Sequence, residues 1–551
     1  MADTLQELFE ETTRKHAARV VSEREVPGAG LRSYTYEQLG KKSRGVAWQL
    51  AEVGVRPGDR VGILAPNRPE WGIAFFGALL AGAVVIPLDI RLKPAEVANI
   101  LVRSGARACL AGEEGLESLA EARPEAPALE HILSMDNPGF GPERDSAPEV
   151  APSRPDDVAV VPFSSGTTGA PKGVMLSHRN LTSNVASVAE LCLFDTEARL
   201  LSILPIHHMY ELTAGFLTPF ALGATVYYLD SITPRAISQA LAERRIAISL
   251  VVPALLRLIH KNIFVQVQKR TALRQFLFRA LFAISKAGLR MGLRLGPILF
   301  PPIRKQFGGQ FRCFISGGAA MDPNVQRDLR ALGLEVLQGY GLTETSPVTH
   351  VSPPHKNKIG KVGPAIPGVE VKLAPVEGAG PDEGEVLIRG PNVMVGYYED
   401  PEATAEAMVD GWFHTGDIGR LDGDGYLSIC GRSKNVIVSE SGKNIYPEEV
   451  EDELMKSPYF KEVCVLGRKS QKGGEEVHAV IVPNPEVFEE KAETGKEAEI
   501  VAREVKEASS RLADYKRVAG SVILHQDLPK TTTLKHKRRE IIQLLEEKGL
   551  W

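Results

Sequence analysis

The chain has 551 residues, of which 43% are apolar and 24% are charged, and its formal net charge is -4 at pH 7. This composition excludes a disordered or collagen-like chain, and the length allows two or more hydrophobic cores. The 5 cysteines are scattered without a C-x-x-C pair, so neither a disulfide framework nor a zinc site is indicated. We therefore expect a globular cytoplasmic protein from a reducing compartment, with no nucleic acid among its partners.

The first part of the chain alternates between helix and strand patterns. Thr4 and Glu7 have the spacing of a capping box that opens an amphipathic helix, and acids stand too early for an export signal. A strand is predicted over 59–64. The apolar run over 72–88 contains glycines and ends in β-branched residues, which predicts a core helix followed by a buried strand rather than a membrane span. The alternation continues to about residue 340 and predicts α/β layers.

A loop of small and hydroxylated residues follows an apolar strand pattern at 158–163. It comprises Ser164, Ser165, Gly166, Thr167, Thr168, Gly169, Ala170, Pro171 and Lys172. Glycine amides, hydroxyl groups and the lysine ammonium together suit a polyphosphate such as that of a nucleotide triphosphate. A Walker-type loop is excluded, because Lys172 stands between Pro171 and Gly173. An ordinary surface turn is the alternative interpretation.

Two adjacent histidines, His207 and His208, follow in the segment 204–211. In principle both could ligate a metal, but adjacent side chains are expected to diverge, and Glu211 is the lone carboxylate near ligand spacing. Simple packing of the two histidines is the alternative at this point.

From residue 244 to 321 the sequence contains no Asp or Glu but 14 Lys or Arg residues. Within this segment, residues 276–286 form a cationic amphipathic stretch of the kind that lies on anionic membranes. The alternatives are a solvated helix face or attraction for the anionic phosphates of a ligand.

Two buried strand patterns, at 311–316 and 334–338, end in turns that suit a nucleotide. The turn residues are Gly317, Gly318 and Ala319 after the first strand, and Gly339, Tyr340, Thr343 and Glu344 after the second. Glycines permit close approach to a flat heteroaromatic base, and Tyr340 offers a stacking face. The Thr343 hydroxyl suits a phosphate, and the Glu344 carboxylate suits Mg²⁺.

Asp417 and Arg432 combine a carboxylate with a guanidinium further along the chain. The carboxylate can accept hydrogen bonds from two ribose hydroxyls, and the guanidinium can donate to them. A solvated turn is the alternative for either residue alone.

Several of these strings resemble motifs of the adenylate-forming enzymes, the superfamily of acyl-CoA synthetases, peptide-synthetase adenylation domains and luciferases. The matching strings lie at 164–174, 204–211, 339–344, 412–417, 431–435, 441–447 and 529–539. They stand in family order, and the Met-Tyr-Glu tail of the second is similar to the long-chain fatty acid branch. The chain thus resembles an AMP-forming long-chain fatty acid–CoA ligase.

The resemblance implies a role for each matched residue. Those implied to bind ATP are Ser164, Ser165, Gly166, Thr167, Thr168, Gly169, Lys172, Gly317, Gly318, Ala319, Gly339, Tyr340, Thr343, Asp417, Arg432 and Lys535. Those implied to be catalytic are Lys535, Thr343, Glu344 and His208, with Glu344 as the magnesium ligand and His208 against the acyl group. Lys434 is implied to be the hinge, and Gly442 and Lys443 are implied to contact CoA. Leu534 departs from the family, which usually has glycine before the adenylation lysine.

The resemblance implies an α/β fold with a large N-terminal domain of several subdomains over 1–432 and a small mobile α+β domain over 433–551. The implied reaction is ATP- and magnesium-dependent activation of a fatty acid to acyl-AMP, followed by transfer to CoA. Alternatives are a ligase that loads a carrier protein, a synthetase for aryl or other acids, a luciferase-like oxidase and a non-catalytic fatty acid carrier.

Overall fold

The computed structural model describes residues 2–26, 28, 30–164, 171–440, 442–470, 473–491, 493, 495–530 and 536–551. The chain divides into two compact units, Met1–Glu370 with Arg389–Phe413 and Val371–Ile388 with His414–Trp551. The expected α/β class, with a large N-terminal and a small C-terminal domain, is confirmed. The boundary predicted between residues 432 and 433 stays a prediction.

Helices occur in both units. In the described part of the chain they are α1 (Leu5–Lys15), α2 (Tyr36–Glu52), α3 (Pro69–Leu80), α4 (Pro94–Ser104), α5 (Glu113–Ala122), α6 (His178–Glu190), α7 (Thr218–Ala221), α8 (Pro234–Glu243), α9 (Pro253–Gln268), α10 (Ala272–Arg290), α11 (Gly296–Leu299), α12 (Pro301–Gln306), α13 (Pro323–Ala331), α14 (Pro401–Ala407), α15 (Pro447–Leu454), α16 (Pro485–Glu490), α17 (Glu497–Ser510) and α18 (Arg538–Glu547). A π-helix spans Tyr210–Leu217.

Strands alternate with these helices. In the same described residues they are β1 (Val20–Val26), β2 (Gly30–Thr35), β3 (Arg60–Leu64), β4 (Val84–Leu88), β5 (Ala108–Ala111), β6 (His131–Ser134), β7 (Val158–Val160), β8 (Phe163–Ser164), β9 (Lys172–Ser177), β10 (Arg199–Ser202), β11 (Thr225–Tyr228), β12 (Ile248–Val251), β13 (Cys313–Ser316), β14 (Val336–Gly341), β15 (Val348–Val351), β16 (Glu370–Ala374), β17 (Gly384–Arg389), β18 (Gly396–Tyr397), β19 (Met408–Val409), β20 (Trp412–Leu421), β21 (Leu427–Arg432), β22 (Ile437–Val438), β23 (Asn444–Ile445), β24 (Phe460–Lys469), β25 (Glu475–Pro483) and β26 (Val518–Ile523).

The first unit is built on two large sheets. One has the strand order β15-β14-β13-β12-β10-β11-β1-β2, and the other has the order β18-β9-β7-β4-β3-β5-β6, with β8 paired to β9. Central neighbours such as β12, β13 and β14, or β4, β3 and β5, are parallel, whereas β2, β15 and β18 pair antiparallel. Polar turns at the carboxyl ends of parallel strands are the usual place for a ligand in such sheets.

Local sequence signals account for the elements around these sheets. Thr4 caps α1, since its hydroxyl accepts a hydrogen bond from the Glu7 amide at 3.1 Å and its amide donates to the Glu7 carboxylate at 3.2 Å. Helix α3 is apolar all round, is buried along its whole length and leads into β4. The predicted capping box, core helix and buried strand are therefore confirmed. Among the described residues, no helix is both long and apolar enough to cross a membrane.

The second unit has smaller sheets and its own cores. Strands β16, β17 and β20 are neighbours in that order, β21 pairs with β20, and β24, β25 and β26 form a separate sheet. Helices α15 and α17 pack on this last sheet with a core that includes Ile445, Val450 and Val501. A second cluster, which includes Cys464, Val480 and Ile541, packs α18 on the same sheet. Strands β24 and β25 contribute side chains to both clusters, which explains why their sequences are apolar on both faces.

Candidate active site

The carboxyl ends of β13 and β14 meet side by side in the first unit. These strands are parallel, and Ser316 is in register with Gln338. The predicted base-binding residues 317–319 therefore lie next to Gly339 and Tyr340. The structure thus brings together the two turns that the sequence assigns to a nucleotide base.

The turn after β14 requires glycine at position 341. A Cβ atom there would lie 1.7 Å from the carbonyl oxygen of Pro347, so no larger residue fits. This close approach folds the chain back into β15 and leaves Thr343 and Glu344 on a short 3₁₀ turn, both half-buried. The glycine of the Gly-Tyr-Gly-Leu-Thr-Glu string thus allows the tight turn that holds Thr343 and Glu344.

Tyr397 joins the predicted phosphate lysine to the predicted magnesium ligand. Its hydroxyl donates a hydrogen bond to Glu344 Oε1 at 3.1 Å, and Lys172 Nζ lies 5.1 Å from the centre of its ring. Lys172 Nζ also lies 3.7 Å from Asp400 Oδ2. A lysine ammonium, a tyrosine hydroxyl and two carboxylates therefore form one polar cluster, in which the ring attracts the cation.

Sequence reasoning missed the segment 392–398 that holds this cluster together. The Met394 amide donates to the Glu344 carbonyl oxygen at 2.8 Å, and the Tyr398 amide donates to the Gly173 carbonyl oxygen at 2.8 Å. Strand β18 of this segment pairs with β9, the strand that begins at Lys172. The short apolar run before Gly396 was the available signal for this strand.

The chemistry of the Glu344 cluster fits a magnesium ion. Carboxylate oxygens of Glu344 and Asp400 are hard donors, and the half-buried turn leaves Glu344 partly accessible. Magnesium in proteins is usually held by one or two carboxylates and completed by phosphate oxygens and water. Lys172 would stand beside it as a second positive charge for a polyphosphate.

Tyr210 connects the histidine segment to the base-binding turn. Its hydroxyl donates to the carbonyl oxygen of Ile315 at 2.9 Å, which fixes the ring against the end of β13. A Cβ atom at Gly317 would lie 3.0 Å from this ring, so glycine lets the ring approach the turn. Because Tyr210 follows His208 by two residues, the predicted acyl residue and the predicted base site are neighbours.

The two histidines do not diverge, which corrects the expectation from the sequence. The ring centres of His207 and His208 are 4.3 Å apart. A carboxylate far away in the sequence approaches them, since Asp89 Oδ2 lies 3.4 Å from His207 Nε2. The chain bends after β10 because the side-chain amide of Asn67 donates to the Leu204 carbonyl oxygen at 2.6 Å and accepts from the Ile206 amide at 2.9 Å.

Glu211, at the start of the π-helix, is a buried carboxyl group whose environment the sequence did not indicate. Its side chain is 1% exposed, and the Ser202 hydroxyl donates to Oε1 at 2.5 Å. Burial raises the pKa of Glu211 to about 8, and the Ser202 hydrogen bond offsets this only partly. The side-chain amide of Asn67 also donates to the Ser202 hydroxyl at 2.8 Å. Asn67, Ser202 and Glu211 therefore form a continuous hydrogen-bond network that holds the histidine segment in place.

The second unit brings together the two predicted ribose residues. Asp417 and Arg432 are directly opposite each other on β20 and β21, and Arg432 Nε lies 2.8 Å from Asp417 Oδ1. The Thr415 hydroxyl accepts from the Asp417 amide at 3.0 Å, and Glu385 accepts from the Gly416 amide at 2.9 Å. These bonds fix a bent strand in which a carboxylate and a guanidinium stand side by side.

The predicted hinge and CoA residues also lie in the second unit. Lys434 is exposed on the short turn Ser433–Asn435. Gly442 has a positive φ of 71° and its amide donates to Ser439 at 2.9 Å. Lys443 Nζ lies 4.7 Å from the ring centre of Tyr515.

Part of the predicted site lies outside the described residues. Residues 165–170 belong to this part, and so do Leu534 and the adenylation lysine predicted at Lys535. Ser164 is described by its backbone, which ends β8 and pairs with Lys172.

Comparison with known proteins agrees with this arrangement. A family model described as AMP-binding enzyme matches residues 9–398, and one described as AMP-binding enzyme C-terminal domain matches residues 449–535. A feruloyl-CoA synthase of Amycolatopsis sp is 33% identical over 462 residues, covering 82% of this chain and 84% of that protein.

One fatty acyl relative is similar over more of the chain. The long-chain-fatty-acid–CoA ligase FadD13 of Mycobacterium tuberculosis is 31% identical over 520 residues, which are 91% of each chain. A solved fatty acyl CoA synthetase of Mycobacterium tuberculosis superposes with a TM-score of 0.70 at 26% identity and covers 99% of both chains. The chain therefore belongs to the AMP-binding enzyme family and is an adenylate-forming acyl-CoA synthetase.

Proposed function

We propose that this enzyme activates a long-chain fatty acid with ATP to an acyl-adenylate and then transfers the acyl group to CoA. The observation that carries the proposal is the cluster in which Tyr397 joins Lys172 to Glu344. A lysine over the ring of one tyrosine and a carboxylate on its hydroxyl suit a magnesium-bound triphosphate. The contact of Tyr210 with the Gly317 turn supports an acyl site next to it.

The first half-reaction makes a poor acyl donor reactive. A fatty carboxylate attacks the α-phosphate of ATP, the bond to pyrophosphate breaks, and the acyl group gains a good leaving group in AMP. Negative charge moves onto pyrophosphate during this step, and Lys172, Thr343 and the loop 164–169 would stabilise it. Lys535 would add a second positive charge at the same step.

Glu344 would hold the magnesium ion of this reaction, with Tyr397 fixing the orientation of its carboxylate. When bound, magnesium neutralises phosphate charge and polarises phosphate oxygens. Asp417 would accept hydrogen bonds from the ribose hydroxyls, and Arg432 would donate to them. The adenine would lie against the turns at 317–319 and 339–340.

The second half-reaction uses the thiol of CoA. The thiol attacks the carbonyl carbon of the acyl-adenylate, and AMP leaves. We propose that Lys434 is the hinge that exchanges Lys535 for Gly442 and Lys443 between the two half-reactions. The positive φ of Gly442 and the ammonium of Lys443 suit a backbone and a charge that receive a phosphorylated thiol carrier.

The relatives of this chain include both fatty acyl-CoA and aryl-CoA synthetases, so the class of acid that it activates must be tested directly. A panel of long-chain, short-chain and aryl acids should be compared by acid-dependent ATP–pyrophosphate exchange and then by thioester formation with free CoA. We expect the highest kcat/KM with long-chain fatty acids. A preference for ferulate or anthranilate would transfer the proposal to aryl acids, and exchange without a CoA thioester would favour a ligase that loads a carrier protein.

Helix α10 supports a further part of the proposal, peripheral binding to anionic membranes that contain the fatty acid. Leu273 is 68% exposed and Phe276 is 67% exposed on this helix. Arg274, Arg279 and Arg290 are exposed on the same helix. Lys286 differs, because it lies 2.7 Å from Asp328, so its charge is already paired. Apolar anchors with basic neighbours are typical of helices that lie in a membrane interface.

Vesicle co-sedimentation tests this part by itself. Replacing Arg274, Arg279 and Arg290 by Gln should release the protein from anionic vesicles, since each basic residue contributes about 1 kcal/mol near such a surface. The matched control is Lys286→Gln, which should change binding little. Binding that resists both salt and the triple substitution would make α10 an ordinary solvated helix.

A further inference from the structure

The carboxyl ends of strands from both large sheets bring three metal-ligating side chains together. Asp89 follows β4 of one sheet, and His207 and His208 follow β10 of the other. One potential ligand atom from each residue lies within 4.8 Å of the other two. Asp89 and His207 are buried, with 7% and 8% exposure, and His208 is half-buried.

The two buried ligand atoms face each other without a hydrogen bond. Among the described residues, neither Asp89 Oδ2 nor His207 Nε2 has a hydrogen-bond partner, although the two atoms are 3.4 Å apart. Two buried polar atoms that have only this one long contact are poorly satisfied, and an ion bound between them would satisfy both. Two ligands at about 2.0–2.1 Å from a tetrahedral zinc ion are separated by about 3.3 Å, close to the distance observed here.

Asp89 is also oriented as a metal ligand is. Its other oxygen, Oδ1, accepts hydrogen bonds from the Arg91 amide at 3.0 Å and from the Arg91 side chain at 3.2 Å. These bonds turn Oδ2 toward His207. Outer hydrogen bonds of this kind fix the carboxylate of known metal sites.

We propose that Asp89, His207 and His208 bind a divalent transition metal of the zinc class, at a site distinct from that of magnesium at Glu344. Two imidazoles and one carboxylate form a donor set that zinc prefers and that magnesium, which prefers oxygen, does not. Three protein ligands leave a fourth position for water or for a substrate carboxylate. Because His208 is the acyl residue of the proposed function, an ion here would hold its ring and link metal occupancy to acyl binding.

Metal binding can be measured without any assay of the reaction, so its outcome does not depend on the proposed function. Untagged full-length protein, freed of metal by a chelator, should be titrated with Co²⁺ in millimolar Mg²⁺. We expect one equivalent to bind with the strong visible absorption of tetrahedral cobalt, and Zn²⁺ to displace it. Asp89→Asn and His207→Gln should each weaken binding by about tenfold or more. His355→Gln, at an exposed histidine, is the matched control and should bind as the wild type does.

The proposal is overturned by any of three results. These are no saturable uptake of Co²⁺ or Zn²⁺ at micromolar concentration, the weak spectrum of octahedral cobalt, or binding that Asp89→Asn leaves unchanged. Asp89 and His207 would then form an ordinary ion pair. If His207→Gln fails to fold, the wild-type spectrum and the nearly isosteric Asp89→Asn variant still decide the matter.

Discussion

Two glutamates of the first unit, Glu344 and Glu211, lie in very different surroundings. Glu344 lies half-buried on the turn after β14, where it accepts a hydrogen bond from Tyr397, and Lys172 Nζ lies 5.1 Å from the centre of that tyrosine ring. Glu211 lies fully buried in the π-helix after β10, with the Ser202 hydroxyl as its donor. Both follow the carboxyl ends of parallel strands in the same sheet, yet their surroundings differ in charge and in access to water.

The difference teaches that burial, not residue type, decides what a carboxyl group does. A carboxylate that water can reach is able to hold a hydrated cation such as magnesium. A carboxyl group in an apolar interior keeps its proton, because the charged form loses its hydration there. We therefore propose a role in magnesium binding for Glu344 and a role in positioning the histidine segment for Glu211.

The largest effect is expected from Glu344→Gln. This change removes the negative charge and keeps the size, so acid-dependent ATP–pyrophosphate exchange should fall by about 100- to 1000-fold while the melting temperature stays nearly constant. Glu117→Gln, at an exposed glutamate of α5, is the matched control and should retain the wild-type rate. A rate within a few-fold of wild type would remove Glu344 from the magnesium site.

Glu211→Ala should lower the stability of the fold. The change leaves a cavity and deprives the Ser202 hydroxyl of its acceptor, which should lower the free energy of unfolding by about 2–4 kcal/mol. Glu211→Gln resembles the protonated acid in shape and should cost less than half of that. Denaturant titration of the two variants measures the difference, and equal losses would mean that the hydrogen bond to Ser202 is not what matters.

The pH dependence of stability should separate wild type from Glu211→Gln. The folded-state pKa of about 8 lies above the ordinary value of 4.5, so the folded state holds the proton more tightly than the unfolded state between these values. Stability from Glu211 is therefore fully present below pH 4.5 and falls as pH rises toward 8, by about 1 kcal/mol for each pH unit. The melting temperature of the wild type should therefore fall relative to that of Glu211→Gln as the pH rises across this range. Parallel curves would contradict a protonated Glu211.

Tyr397→Phe tests whether the hydrogen bond from Tyr397 to Glu344 matters for activity. Phenylalanine keeps the ring under Lys172 and removes only the hydroxyl that bonds Glu344. We expect about a fivefold loss in ATP–pyrophosphate exchange, which corresponds to the roughly 1 kcal/mol that one hydrogen bond typically contributes. Tyr398→Phe is the neighbouring control, and an equal loss in both variants would point to strand packing instead of the hydroxyl.

The sequence predicted the elements whose signals are local. The strand patterns on both sides of the glycine-rich loop became β7, β8 and β9, and the run over 72–88 became α3 and β4. The strands β13 and β14, which precede the two turns predicted to bind the base, followed from the same periodic patterns. Such features depend on short-range propensity and strand periodicity, which a single chain displays.

Features that depend on long-range contacts could not be predicted in this way. Tyr397 reaches Glu344 because β18 pairs with β9, and nothing near Tyr397 in the sequence indicates that pairing. Asp89 approaches His207 from a different sheet, and the sequence spacing, which showed Glu211 as the lone nearby carboxylate, could not indicate this contact. The burial that keeps Glu211 neutral is likewise a property of the packed fold.

Infrared difference spectroscopy at pH 7 tests the contrast between the two glutamates most directly. The spectrum of wild type minus Glu211→Gln should contain the carbonyl band of a protonated carboxylic acid, because burial keeps the proton on this group. The same carbonyl band should remain in the Glu344→Gln variant, because that variant leaves Glu211 unchanged. If Glu211→Gln removes no such carbonyl band, Glu211 is not the protonated group and its assignment as a buried neutral acid is contradicted.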